Sequence, residues 1–133
     1  MNLNNITGLA SETPPFIPDG AHVMTVIVEV PPGDAGAAPH RHSGPVFAYV
    51  LEGELIFELE GEPERVIKAG QAFWEPGGDV IHYQAGNNSD DVPVRFVAMM
   101  VCAPGKQMLT VVEPEELEAR RDRRAPRPEN ARF

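Results

Sequence analysis

Residues 40–54 read His40-Arg41-His42-Ser43-Gly44-Pro45-Val46-Phe47-Ala48-Tyr49-Val50-Leu51-Glu52-Gly53-Glu54. Two histidines one residue apart are followed by a compact apolar strand over Val46–Leu51 and then a Glu-Gly-Glu turn. In extended chain, side chains two apart point to the same face. His40 and His42 can therefore hold one ion between them, provided that the fold delivers a third ligand. His82, after the breaker Pro76-Gly77-Gly78, is the candidate.

Outward from this stretch the same punctuation continues. Ala21–Val30 alternates, with His22, Met24, Val26, Val28 and Val30 on one face and Val23, Thr25, Ile27 and Glu29 on the other, and it ends at Pro31-Pro32-Gly33. Leu55–Glu60 follows the Glu-Gly-Glu turn, with Leu55, Phe57 and Leu59 on one face; Ile56, Glu58 and Glu60 form a largely wet face. Short strands are expected at Arg65–Lys68, Gln71–Glu75 and Val80–Gln84. Asn87–Asp91 reads as a polar loop, Val94–Cys102 as a long buried strand, and Leu109–Val112 as one more. Strands about ten residues apart, broken by Gly and Pro, indicate an all-β sandwich or barrel. Phe47, Phe57, Phe73, Trp74, Phe96, Met99 and Met100 are the expected barrel filling.

A chain of 133 residues suits one core. The expected organisation is an N-terminal arm (1–20), a β-barrel (21–112), and a C-terminal helix with a polar tail (113–133). Glu115–Arg124 has acids in its first turn and arginines in its last, as the helix dipole favours. Arg120-Arg121 and Arg123-Arg124 read as a solvated helix end or a basic contact patch. The net charge of −9 sits on residues 1–112, with 14 acids against 5 bases. That balance opposes a nucleic-acid partner, whose binding rests on Lys and Arg. No run of residues is long and apolar enough for a membrane span. With one cysteine and no secretory pattern at Met1–Asn5, a cytoplasmic protein is expected. Cys102 reads as a buried core residue.

With these residues in view, the chain resembles the cupin superfamily, small jelly-roll barrels with a two-part metal motif. The first part matches at Gly33, His40, His42 and Gly53; the second at Gly70, Pro76, Gly78, His82 and Asn87. The resemblance covers about residues 20–112. It implies an all-β, cupin-type jelly-roll β-barrel with a short C-terminal helix. It also implies one divalent transition metal ion (Fe, Zn, Mn, Ni or Cu) on His40, His42 and His82, and a two-fold homodimer; the arm, residues 1–20, is a candidate for crossing onto the partner.

Three departures stand out. The carboxylate that the family usually places four residues after the second histidine is here Val46. The Gly33–His40 spacing is one residue longer than usual. His82 comes one residue late, with Ile81 the extra residue, and a one-residue slip turns a strand side chain to the other face.

Without the carboxylate, three neutral imidazoles leave the ion its full charge and at least one open position. All-histidine cupin sites occur among thiol and diketone dioxygenases, so the resemblance implies dioxygenase-like chemistry on a small organic molecule. A non-catalytic small-molecule or metal-sensing module and a metal-assisted isomerase or lyase stay open beside it, as does turnover itself. Gln84, on the expected strand face of His82, and Glu75 are candidates for a fourth ligand or a supporting contact, Glu75 reading more as a surface or turn residue. Tyr49 and Tyr83 are candidates for substrate contact or core packing. His22 lies outside the motif and is expected not to bind.

Overall fold

The computed structural model describes residues 3–133. Nine strands follow in chain order: β1 (His22–Val30), β2 (His40–Arg41), β3 (Val46–Glu52), β4 (Glu54–Leu59), β5 (Arg65–Lys68), β6 (Ala72–Glu75), β7 (His82–Asn87), β8 (Val94–Cys102) and β9 (Thr110–Val111). One short helix, α1 (Pro114–Ala119), comes after them. The strands form two antiparallel sheets, β1-β8-β3-β6 and β5-β4-β7-β2-β9, which face each other as a flattened barrel. This is the expected all-β jelly roll.

The core lies between the sheets and follows the period of two that strands impose. Val46, Ala48 and Val50 of β3 point in, as do Val94, Phe96, Ala98, Met100 and Cys102 of β8. Phe57, Phe73 and Phe96 pack as a ring cluster, with centroids 4.8 and 5.4 Å apart. Phe47, Trp74 and Met99, expected in this filling, lie instead on the outer face of the four-stranded sheet. There Phe47 stacks on Trp74 at 5.9 Å and Met99 is 48% exposed. Adjacent residues of one strand cannot both face inward, so Phe73 and Met100 exclude Trp74 and Met99. For the same reason β8 is not buried throughout but alternates.

The face of β4 expected to be wet is dry. Ile56 and Glu58 are both buried, because the C-terminal segment lies across the outside of the five-stranded sheet. Arg124 meets Glu58 with two hydrogen bonds of 2.8 Å, and Gln84 donates to Glu58 at 2.6 Å. Burial pushes the Glu58 carboxyl up, but Arg124 and Gln84 more than offset this and hold it below its ordinary value. Arg120 is also drawn in, pairing with Glu60, Asp79 and Glu116. Arg120 and Arg124 are thus internal anchors, neither a contact patch nor a solvated helix end. The helix itself ends at Ala119, and Arg121–Arg123 form a 3-10 turn.

One close approach joins the two halves of the site. Gly78 N–H donates to His42 O at 2.7 Å, and Gly77 has φ +75°. A Cβ on Gly77 would stand 2.1 Å from Gly44 O, so only glycine lets these loops touch. At the opposite end of the chain, the N-terminal arm crosses the outer face of the four-stranded sheet. Thr7–Ala10 and the sheet residues Phe47, Tyr49, Val97 and Met99 line a shallow, open groove between them.

Candidate metal centre

β2 and β7 are neighbours, and their register sets His40 directly opposite His82. The two rings lie 4.8 Å apart, and His42, just past the end of β2, stands 5.0 Å from His40. The extra residue before His82 is absorbed by a bulge. Glu58 pairs with Gln84, but the next residue, Leu59, pairs with His82, leaving Tyr83 as the extra residue of β7. The bulge returns His82 to the interior, where it is 3% exposed.

The same bulge sends Gln84 away from the site, correcting the expectation that the two side chains share a face. The Gln84 amide bonds to Glu58 and Glu64 on the outside of the sheet. Its backbone carbonyl still serves the site by accepting from His82 Nε2 at 2.7 Å. Tyr83 also points outward, among Ile81, Val112 and Leu117 and under the Arg124 guanidinium. Tyr49 lies on the outer face of β3, away from the histidines. His22 is exposed at the start of β1.

Glu75, named from the sequence as a candidate fourth ligand though read more as a surface or turn residue, joins the histidines. It is neither at the surface nor a turn residue but 5% exposed, facing the three imidazoles from the other sheet. Its Oε1 lies 3.1 Å from His82 Nδ1 and its Oε2 3.6 Å from His42 Nε2. In the β3–β6 register Glu75 stands directly opposite Val46. The carboxylate absent after the histidine pair is therefore supplied by the strand next door, on the same face. The clue was present in Glu75 closing an alternating strand as its last inward residue. Directly opposed residues have Cβ atoms only about 5 Å apart, so exchanging the two barely moves the charge. Three imidazoles without an acidic partner is thus not the arrangement found.

Ligand atoms of His40, His42, Glu75 and His82 all lie within 4.8 Å of one another, in a buried group. Each imidazole gives one N–H to a backbone carbonyl. His40 Nδ1 meets Ala38 O at 2.7 Å, His42 Nδ1 meets Met108 O at 2.8 Å, and His82 Nε2 meets Gln84 O. In a neutral ring such a bond leaves the opposite nitrogen, aimed inward, free to bind, the tautomer a metal requires. His82 Nδ1 is buried without a hydrogen-bond partner, its approach to Glu75 being off the line of a bond. A buried orphan of this kind costs free energy unless something else satisfies it. Burial, then repulsion from His82, lowers the His40 pKa to about 4, so its ring is neutral at physiological pH. Burial raises the Glu75 carboxyl, but the facing imidazoles, His82 first and then His42 and His40, outweigh it and hold it below its ordinary value. Three neutral nitrogens and one carboxylate oxygen fit a divalent transition metal ion.

A cavity of about 190 Å³ opens on these four residues and runs into the barrel between the sheets. Comparison with known proteins agrees with this architecture. The model of the cupin domain family matches residues 26–102. The chain is a cupin. No curated protein matches its sequence significantly. Solved structures similar to this cupin include the DMSP lyase DddQ of Ruegeria pomeroyi, with TM-score 0.58, 22% identity and 70% of this chain covered. This cupin spans only 44% of that lyase. A double-stranded β-helix protein of Klebsiella pneumoniae matches with TM-score 0.55 and 21% identity, over 68% of this chain and 75% of that one. A predicted oxalate decarboxylase of Thermotoga maritima matches with TM-score 0.52 and 26% identity, over 63% and 69%. At such identities the likeness shows the fold.

Proposed function

We propose that this cupin binds one divalent transition metal ion through His40, His42, Glu75 and His82, and acts on a small organic molecule held beside it in the barrel. The observation that carries this reading is the meeting of an apolar cavity with the four converging ligand atoms. A purely structural metal needs no such space, whereas a working one needs room for a ligand. Bound there, the ion would supply Lewis-acid or redox chemistry at positions the protein leaves open. The chain's own residues fix the ring tautomers through three backbone carbonyls, lower the charge of the site by one through Glu75, and exclude water with the surrounding Val and Phe side chains.

The reaction class follows from what the cavity lacks. Among the described residues, its lining offers no acid or base other than the four ligand residues. Isomerase and lyase chemistry usually asks a side chain to take or give a proton. Dioxygenation asks least of the protein, so dioxygenase-like chemistry stays ahead of these two, although its first support, an all-histidine set, is gone. The same bareness favours a second reading, capture or sensing of a small molecule without turnover.

Elemental analysis of protein purified without added metal is expected to find about one transition ion per chain, and little in His42→Ala. Oxygen uptake by iron-loaded protein across diketones, thiols and phenolic acids then separates the readings. Silence with saturable binding selects capture, and anaerobic product formation selects the isomerase or lyase. We infer a reducing compartment such as the cytoplasm, since a single cysteine allows no intramolecular disulfide. No helix among the described residues is long and apolar enough to cross a membrane. We also propose a homodimer through the outer face of the four-stranded sheet, where Val23, Ile27, Leu51 and Met99 are exposed together with Leu9 of the arm. Light scattering that shows a strict monomer at working concentration would reject the dimer.

A further inference from the structure

The cavity beside the four ligand residues is small and chemically one-sided. It is walled by Val28, Val30, Phe73, Phe96, Ala98 and Met100, with Ala37, Met108 and Leu109 completing the apolar lining. Among the described residues, no Lys, Arg, Ser, Thr, Asn, Gln or Tyr lines it. Every polar side chain that reaches it belongs to the set facing the ion. A ligand can therefore be recognised by polar contact at one point only.

Volume sets the size. An apolar cavity of 150 Å³ holds benzene in another protein, so a space of about 190 Å³ takes roughly seven non-hydrogen atoms. Charge sets the head group. A divalent ion with one carboxylate among its ligands carries a net charge of +1, which a single anionic oxygen head neutralises without leaving a buried charge unpaired. A second charge at the far end of the ligand would lie against Val28 and Phe96 with no counter-ion, at a large desolvation cost.

We infer that the site selects small monoanions with one chelating oxygen head (hydroxamate, enolate or carboxylate type) and an uncharged hydrocarbon body, and rejects dicarboxylates and zwitterions. This rests on the metal reading above and adds to it the class of molecule admitted. Val28 and Ala98 are the residues that set the limits. Val28 sits where a distal charge would need a partner, and Ala98, at the centre of β8, keeps open the space that a larger side chain would fill.

The test uses the full chain loaded with Co(II), whose visible absorption bands report both occupancy of the site and entry of an oxygen ligand. Isobutyrohydroxamate and malonic monohydroxamate share a head and differ in distal charge. Isobutyrohydroxamate is expected to bind at least about tenfold more tightly, reflecting the burial of an unpaired carboxylate. Val28→Lys should shrink or reverse that preference. Ala98→Leu should weaken isobutyrohydroxamate binding at unchanged cobalt content, measured again after the titration. Equal affinity of the two probes in the wild type, or no effect of Ala98→Leu in a folded, cobalt-loaded protein, overturns the inference and leaves the metal reading standing. Absence of the cobalt bands overturns both.

Discussion

Glu75→Gln separates a ligand from a structural residue, because the two roles predict opposite effects on the metal-free protein. Glu75 is a buried carboxylate with no well-aligned hydrogen bond from the imidazoles around it. The effective penalty for an ion in such a place is several kcal/mol, offset here only by the neighbouring histidines. Replacing it with a neutral amide of the same shape removes both, so metal-free Glu75→Gln should melt no lower than metal-free wild type. Metal changes the comparison. At free metal about a thousandfold above the dissociation constant, binding adds about 4 kcal/mol to the stability of wild type. For a chain of 133 residues, 1 kcal/mol moves Tm by about 3–4 °C, so the gain is about 12–16 °C. Without its anionic ligand, Glu75→Gln should lose most of that increment. Scanning calorimetry with chelator and then with Zn(II) or Mn(II) measures all four values. The opposite result is a metal-free variant that melts well below wild type while its metal-induced shift stays intact. Glu75 would then be a strand-end anchor and not a ligand.

Three further outcomes are expected. In the double variant Val46→Glu with Glu75→Val, elemental analysis should again find about one ion per chain, because the two positions face each other across β3 and β6; an empty site would refute their equivalence. Arg124→Met should cost about 2–3 kcal/mol in denaturant unfolding, since Glu58 keeps only its Gln84 bond and Arg124 is partly solvated, while metal content stays unchanged. Metal-free protein should lose stability as pH falls from about 6.5 to about 4. His40 titrates near 4 in the fold and near 6.5 unfolded, so the unfolded chain takes up the proton first, at a total of about 3 kcal/mol with no further loss from this group below pH 4. Urea midpoints measured across that range check the sign, and a midpoint that rises on acidification would contradict it.

Local pattern and motif spacing were enough for the barrel. Alternation in Ala21–Val30, the apolar run Val94–Cys102, and the breakers at Pro31-Pro32-Gly33, Glu52-Gly53-Glu54 and Pro76-Gly77-Gly78 place seven of the nine strands among the described residues within a residue or two. The histidine pair was legible because a period of two puts His40 and His42 on one side of a strand. What the sequence left open depended on pairing. The late His82 returns inward only because β7 bulges at Tyr83 against β4, and that same bulge removes Gln84 from the site. The dry outer face of β4 depended on where residues 120–133 settle, which no local pattern in Leu55–Glu60 announces.

By itself, then, the sequence determined the β period, the turns and the His40–His42 pair, all consequences of neighbours within a few residues. Only the tertiary structure decided the charge of the centre. Glu75 joins His40, His42 and His82 from the opposite sheet because β6 pairs with β3 in a register that sets it against Val46. Register between distant strands is a property of the closed barrel, set by which faces can be buried together, and it is not written at any single position.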